Sequence, residues 1–334
     1  MHFARTEEQD ELATVVRSLL ERRSDSAAVR AAIDSEAGYD EALWQAMCEQ
    51  VGVAALPVPE EHDGFGASYV ETAIVLEELG RTLTPSPLLA TAIATAAVLV
   101  HADTSARPDL LPRISRGEVA TVALDDLVLD AAAAGIVLRV EDHHLDRLDD
   151  AVVEPVGSID QTLRWGRATG TPRPIGSVAD EQSLLDVAWA LTSAVQVGTA
   201  QRGLEMTVAY AQERQQFGRP IGSFQALKHR MADMLVLVEA SRSASWGATT
   251  AVAAYVRDPS GTNATILRRR AAVARSYCSE ALDHVAAETV QLHGGIAITW
   301  EHDAQLVLKR AHALSRLWAP AHVARAGILD VTPG

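Results

Sequence analysis

Four runs of apolar residues at helical spacing, parted only by short breaks, constrain the C-terminal half of this chain more than any other feature. From about Glu181 to Arg214, Leu184, Leu185, Ala188, Leu191, Val195, Ala200 and Leu204 form a near-continuous stripe of helical character. The run Phe217-Gly218-Arg219-Pro220-Ile221-Gly222 interrupts it with residues that favour turns. A second helix is predicted from Ser223 to about Arg257. Asp258-Pro259-Ser260-Gly261 reads as a turn, Thr262 to Gln291 as a third helix, and Glu301 to Trp318 as a shorter fourth. Long helices with connections this short pack as antiparallel neighbours, so residues 179–330 are expected to form a four-helix bundle.

The first 117 residues also read as helical. Thr6-Glu7-Glu8-Gln9 has capping-box spacing, in which the threonine and the glutamine satisfy each other's free backbone N–H. Leu12, Val15, Val16, Leu19 and Leu20 then mark one face. Another helix is predicted around Tyr39–Val51. Gly52–Ser68, with two prolines and three glycines, is expected to be irregular. Helix resumes at Tyr69 and is expected to stop at Gly80, read as its C-cap. Pro85 and Pro87 break the chain before an Ala-rich helix from Leu88 to about Val100. Residues 118–178 differ. Val119–Leu124, Ile136–Val140 and Ala151–Val153 are short and β-branched, which predicts a small β module. The fold class expected is therefore mostly α: a helical domain, a small β domain and a helical bundle.

Charge and cysteine content narrow the function classes. Twenty-nine Lys and Arg against 44 Asp and Glu leave a formal charge of −15 over 334 residues. That argues against non-specific nucleic-acid binding and against anionic membranes. The two cysteines, Cys48 and Cys278, make neither a disulfide framework nor a zinc site, and no metal is expected. No secretory leader and no apolar run of membrane-spanning length is read, so the expected setting is cytoplasmic.

Three segments carry the chemistry. Pro59-Glu60-Glu61-His62-Asp63-Gly64-Phe65-Gly66 is followed by Glu77-Glu78-Leu79-Gly80-Arg81. Glu213-Arg214-Gln215-Gln216-Phe217-Gly218-Arg219-Pro220-Ile221 is followed by Phe224-Gln225 and His229–Met234. Gln291-Leu292-His293-Gly294-Gly295-Ile296 is followed by Thr299-Trp300-Glu301 and Lys309-Arg310. An arginine at a helix end, before a Gly- and Pro-rich turn, offers a fork of donors to a phosphate pair. Paired glycines after a helix let a ligand approach the backbone. In this order and at these separations, the segments resemble the acyl-CoA dehydrogenase family over almost the whole chain.

The resemblance implies FAD as cofactor. It also implies that the ADP half of a flavin seated mainly in a neighbouring subunit is gripped by Arg214, Gln216, Phe217, Gly218, Gln225 and the run Gln291, Leu292, His293, Gly294 and Gly295. Two departures from the family pattern stand out. The Thr-Glu-Pro…Gly-Ser-Asp type segment that seats the flavin ring and thioester has no counterpart in the shortened β module. The second is the carboxylate that removes the α-proton of the thioester. One family position lies about 26 residues before the clamp arginine, roughly seven helical turns, and falls on Ala188. The other lies about 27 residues after Gln291 and falls on Trp318, in Leu317-Trp318-Ala319-Pro320. Neither residue ionises, and Asp186 points to another side of the helix. No catalytic residue is therefore assigned.

A clamp without a base resembles the short, non-catalytic subunit of the heteromeric α2β2 acyl-CoA dehydrogenases of actinobacteria. Those assemblies desaturate CoA thioesters of steroid fragments. This implies a longer catalytic partner that binds most of the acyl-CoA, and a separate electron acceptor. The alternatives are a self-sufficient dehydrogenase or a flavin monooxygenase using Glu301 or Asp303, and a flavin-free helical scaffold. His229, His302, His312 and His322 read as packed or solvated, and Arg268-Arg269-Arg270 as a solvated helix face rather than a CoA-phosphate site.

Overall fold

The computed structural model describes residues 5–330. Helices come first: α1 (Glu7–Arg23), α2 (Ser26–Asp34), α3 (Glu41–Gln50), α4 (Tyr69–Arg81), α5 (Leu88–His101) and α6 (Arg107–Ser115). The capping box forms at α1: Thr6 Oγ1 accepts from the Gln9 amide at 3.3 Å, and Gln9 Oε1 from the Thr6 amide at 3.0 Å. α2 and α6 lie in stretches without a periodic stripe long enough to announce them. Pro108 sits in the first turn of α6, where a missing N–H costs nothing.

Gly80 does not cap α4. The helix runs on through Arg81, and Gly80 faces the later helix α7 (Gln182–Glu213). A Cβ on Gly80 would lie 2.3 Å from the Val195 carbonyl oxygen, and one on Gly198 would lie 1.9 Å from that of Glu77. The two helices cross backbone to backbone through this glycine pair. Around the crossing, the Glu77–Arg81 motif is absorbed structurally. Glu77 pairs with Arg5 and Arg242, buried Glu78 accepts from Arg17 at 2.6 Å and 3.0 Å, and Arg81 reaches Glu205 at 2.8 Å.

The β layer is one five-stranded sheet in the order β1-β3-β4-β5-β2. Its strands are β1 (Ala120–Ala123), β2 (Val128–Leu129), β3 (Ile136–Glu141), β4 (His144–Val156) and β5 (Trp165–Ser177). β1 runs parallel to β3 and the other pairs are antiparallel. The Thr121 hydroxyl donates to the Leu129 carbonyl at 2.6 Å and draws the two edge strands together. β4 and β5 form a thirteen-residue ribbon where the sequence announces only Ala151–Val153. From Thr169 to Pro174, β5 is exposed on both faces, so no alternating hydrophobic signal exists there. Pro172 and Pro174 are tolerated because β5 meets β2 only at Trp165 and Gly166, which leaves the proline stretch an open edge.

After α7 come a two-residue hairpin, β6 (Gln215–Gln216) and β7 (Arg219–Pro220), then α8 (Gln225–Arg257), α9 (Gly261–His293), α10 (Ala304–Leu314) and α11 (Ala321–Asp330). The fourth bundle helix is shorter than expected, and Trp318 lies outside it at φ +59°. Fully buried Arg275 explains the stop. Its guanidinium donates to the carbonyls of Leu314 at 2.6 Å, Leu317 at 2.7 Å and Ala319 at 2.5 Å, so these acceptors need no further helical turn. From Asp186 to Ala200, α7 is buried without a break. One hydrophobic core runs from Val16 through the β layer to Ala324. Among the described residues, no helix is long and apolar enough to cross a membrane.

Candidate functional site

The expected clamp segments meet at one end of the bundle. α7 and α9 run side by side in the same direction, with α8 returning between them. A Cβ on Gly203 would meet Thr289 and Val285, and further along the Tyr210 ring stacks on His293 with centroids 4.6 Å apart. Arg214 follows Tyr210 by one turn, and Gly294 follows His293 directly. Residues far apart in sequence thus emerge from adjacent helix ends.

At the end of α7, the Arg214 amide donates to the Tyr210 carbonyl at 2.8 Å, and the Arg214 carbonyl accepts from Ile221 at 2.8 Å. The Arg214 side chain is exposed. Gln215 pairs with Pro220 and Gln216 with Arg219. The turn between them places Phe217 at φ +54° and Gly218 at φ +76°, the conformation that two-residue hairpins require. Glycine adopts it freely, but a phenylalanine there is strained. The Phe217 ring is also 91% exposed. It makes a T-shaped contact with the Phe224 ring, 6.0 Å away, whose face carries the Arg219 guanidinium at 4.1 Å. Gln216 and Gln225 are exposed, and Gln225 Nε2 lies 3.0 Å from His229 Nε2.

At the end of α9, Gln291, Gly294 and Gly295 are exposed, and a Cβ on either glycine would meet open space. Gly294 ends the helix at φ +67°. Leu292 and His293 differ from the rest of the run, because their side chains turn into the protein at 8% and 4% exposure. His293 Nδ1 donates to the Thr289 carbonyl at 2.7 Å. Neither side chain is open to the site. Three exposed side-chain amides, an open glycine pair, an exposed guanidinium and an exposed aromatic ring can together donate to a diphosphate and stack on an adenine.

Neither position expected for a base offers one. Ala188 is fully buried in the unbroken core of α7, and Trp318 is half-buried in the turn that Arg275 ties down. Asp303 is engaged elsewhere. It accepts from Ser26 at 2.6 Å, Arg30 at 2.8 Å and Arg202 at 3.4 Å, joining α10 to α2 and α7. Glu301 is exposed beside Trp300, whose ring lies under the Arg30 and Lys309 cations. Arg268 bonds Asp180 at 2.5 Å and buried Asp186 at 3.3 Å, so it is tied to α7 rather than lying along a merely solvated face. Burial pushes the Asp186 carboxyl up to about 6, opposed by Gln182 and Arg268. The sequence did not single out Tyr210 or Arg275, and it gave Arg219 only as part of the clamp motif. An aromatic residue one turn before the clamp arginine is the signal that could have found Tyr210.

The sequence profile of the acyl-CoA dehydrogenase N-terminal domain matches residues 6–118, and that of the C-terminal domain matches residues 178–325. The chain is 43% identical over 317 residues to the acyl-CoA dehydrogenase IpdE2 of Mycolicibacterium smegmatis, covering 94% of this chain and 96% of that protein. The chain belongs to the acyl-CoA dehydrogenase family. The IpdE2 protein of Mycobacterium tuberculosis is 44% identical, with 93% of each chain covered. Among solved structures, a Tcur3481-Tcur3483 steroid ACAD variant superposes with a TM-score of 0.87 at 26% identity, over 97% of both chains. The ChsE4-ChsE5 complex from Mycobacterium tuberculosis shares the fold, with a TM-score of 0.86 at 23% identity over the full length of both chains. As an acyl-CoA dehydrogenase, the chain belongs to a group of FAD-dependent oxidoreductases. The donor set at the ends of α7 and α9 fits the adenine-diphosphate half of that cofactor.

The buried imidazoles set a pH response. Burial holds His293 and His302 below the ordinary histidine value and pushes His101 down to about 4. Their unfolded value is near 6.5. Each therefore contributes stability that is complete above that value and lost as pH falls through the folded one. Asp186 acts in the opposite sense, because its contribution is lost as pH rises through about 6. The melting temperature should fall by several degrees between pH 7.5 and pH 5, and Asp186→Asn should steepen the fall. A Tm that is flat or rises on acidification would contradict both assignments.

Proposed function

We propose that this chain is the non-catalytic subunit of a heteromeric FAD-dependent acyl-CoA dehydrogenase. It supplies the ADP-end clamp to a flavin seated mainly in a longer partner chain. The clamp would be Arg214, Gln216, Phe217, Gly218, Gln225, Gln291, Gly294 and Gly295, with the backbone of Leu292 and His293. When bound, the flavin supplies hydride acceptance. The residues of this chain bind and orient its diphosphate end, and the partner supplies the ring seat, the thioester pocket and the α-proton base. A separate electron acceptor would be a further partner of the assembly.

One observation carries the reading: the two places for a base hold Ala188, sealed in the core, and Trp318. The strained and exposed Phe217 adds to it, since an outlier of this kind persists where a partner or ligand uses it. The names of the solved neighbours, a steroid ACAD of paired gene products and a two-protein complex, favour a heteromer acting on a steroid-derived CoA thioester. The engagement of Asp303 with Ser26 and two arginines weighs against a self-sufficient enzyme with that residue as base. A flavin-free scaffold would have no use for the open glycine pair.

Native mass and flavin absorbance, taken alone and after co-expression with a longer acyl-CoA dehydrogenase subunit, test the proposal. The expected result is little flavin on the chain alone, and a yellow hetero-oligomer holding one FAD per pair of unlike subunits. In that complex, Arg214→Ala should lower flavin content while leaving the melting temperature near wild type, because the side chain is exposed. A yellow homo-oligomer with one FAD per chain would overturn the proposal and direct attention to Glu301.

A further inference from the structure

The clamp is built on two helix ends, and helix ends fray unless something fastens them. Here the fastening is a run of three rings. Tyr210, in the last turn of α7, stacks on His293, the last residue of α9, at 4.6 Å and 28°. His293 in turn meets His302, in the connection to α10, at 4.8 Å and 60°. The hydrogen bonds of its two imidazoles orient it. A carbonyl only accepts, so the Nδ1 of His293 carries the proton it gives to Thr289 at 2.7 Å. His302 Nδ1 accepts from the Ala304 amide at 3.1 Å, so its proton is on Nε2. The charged groups bearing on the run are Asp303, Arg202 and Arg30, which already bond one another.

The run lies directly under the expected ligand-facing backbone. The Tyr210 carbonyl accepts from the Arg214 amide at 2.8 Å, and His293 is joined by a peptide bond to Gly294. The rings thus link the two halves of the clamp through a side-chain contact. From this juxtaposition we infer that Tyr210, His293 and His302 are positioning residues. They hold Arg214 and the Gly294–Gly295 turn at a fixed separation, so that the cofactor meets both halves already arranged. This rests on the clamp reading above. None of the three side chains need touch the flavin, and their effect is to spare the ordering cost of two loose ends.

The test uses the co-expressed complex and FAD itself as probe. Tyr210→Ala, Tyr210→Phe, His302→Ala and Arg214→Ala are compared by flavin retained after gel filtration and by titration of the stripped protein with FAD. An aromatic contact of this kind is worth about threefold to tenfold in affinity. Tyr210→Ala should weaken FAD binding by about that factor, with an unchanged number of sites and full binding at high FAD. Tyr210→Phe, which keeps the ring, should bind as wild type, a rescue that general destabilisation would not produce. His302→Ala, at a half-buried position that tolerates truncation, should weaken binding in the same direction, and it stands in if Tyr210→Ala fails to fold. Weakening in Arg214→Ala but not in Tyr210→Ala or His302→Ala would overturn this inference and leave the clamp standing. Equal loss in Tyr210→Phe and Tyr210→Ala would also overturn it. Unchanged binding in Arg214→Ala would remove the clamp reading, and this inference with it.

Discussion

Gly198→Ala is expected to destabilise the protein by about 1–2 kcal/mol, although the same change in an open helix stabilises. The added methyl would sit 1.9 Å from the Glu77 carbonyl oxygen and 2.7 Å from the Arg81 amide nitrogen. Both are backbone atoms of α4 and cannot swing aside as a long side chain would. The helices must separate, and dispersion contacts along the crossing weaken together as they do. Overpacking of this kind costs about 1–3 kcal/mol and sometimes more. The helical preference for alanine over glycine returns only about 0.5–1 kcal/mol. Gly247→Ala on α8 is the matched control, since a Cβ there meets nothing within 4 Å. It should gain a few tenths to 1 kcal/mol, on the order of the propensity difference. Urea denaturation of both variants reads the sign directly. Equal shifts in the two would show that α4 and α7 do not cross through glycine.

Arg310→Ala should cost about 3–5 kcal/mol, the range for removing one partner of a buried ion pair. Arg310 is 2% exposed, and its Nε donates to Thr162 Oγ1 at 2.9 Å. Its Nη2 donates to the Leu83 carbonyl at 3.1 Å, and the carboxylate of fully buried Asp160 lies 3.7 Å away. Three parts of the molecule converge on this one guanidinium: α10, the β4–β5 connection and the turn between α4 and α5. That turn holds Leu83 at φ +57°, a strained conformation for a branched side chain. Without the arginine, the Asp160 side chain loses its buried cationic partner and the Leu83 carbonyl loses a donor. The double variant Asp160→Asn with Arg310→Met should recover much of the loss, because it removes the charge while filling the space. A loss below about 1 kcal/mol, as exposed pairs show, would mean the pair is not buried in solution. A double variant no better than Arg310→Ala would show that the hydrogen bonds, rather than the charge, carry the effect.

The readable parts of the sequence were those whose physics is local. The Thr6–Gln9 capping box formed because its partners lie within one turn. The ends of the three long bundle helices were legible from Gly, Pro and Asp-Pro punctuation, which stops a helix whatever surrounds it. The two clamp segments were legible for a similar reason. A helix-ending arginine, a Gly- and Pro-rich turn, and a Gly-Gly stop are short-range patterns, and the resemblance to acyl-CoA dehydrogenases rests on their order. Where the reading failed, the deciding contact was distant. Gly80 reads as a cap because glycine so often ends a helix, yet α7 lay against it. Trp318 was placed in a helix that Arg275, more than forty residues earlier, brings to an end. The β4–β5 ribbon carried no alternating pattern where β5, from Thr169 to Pro174, is solvated on both faces.

The sequence by itself determined the order of the layers, the helical character of the bundle, the absence of an ionisable side chain at Ala188 and Trp318, and the identity of the clamp residues proposed here. The first two follow from residue type and spacing along the chain, and the last two rest on its resemblance to the acyl-CoA dehydrogenases. Only the tertiary structure decided that Arg214 and Gly294 share one end of the molecule, and that Leu292 and His293 face inward. It also decided that Ala188 is sealed in the core rather than lining a cleft, and that Asp303 is engaged by Arg30 and Arg202. These depend on which helix lies beside which. That is set by close packing between residues far apart in sequence, such as Gly198 against Glu77 and Tyr210 against His293. Spacing along a chain carries no record of such contacts until the chain has folded.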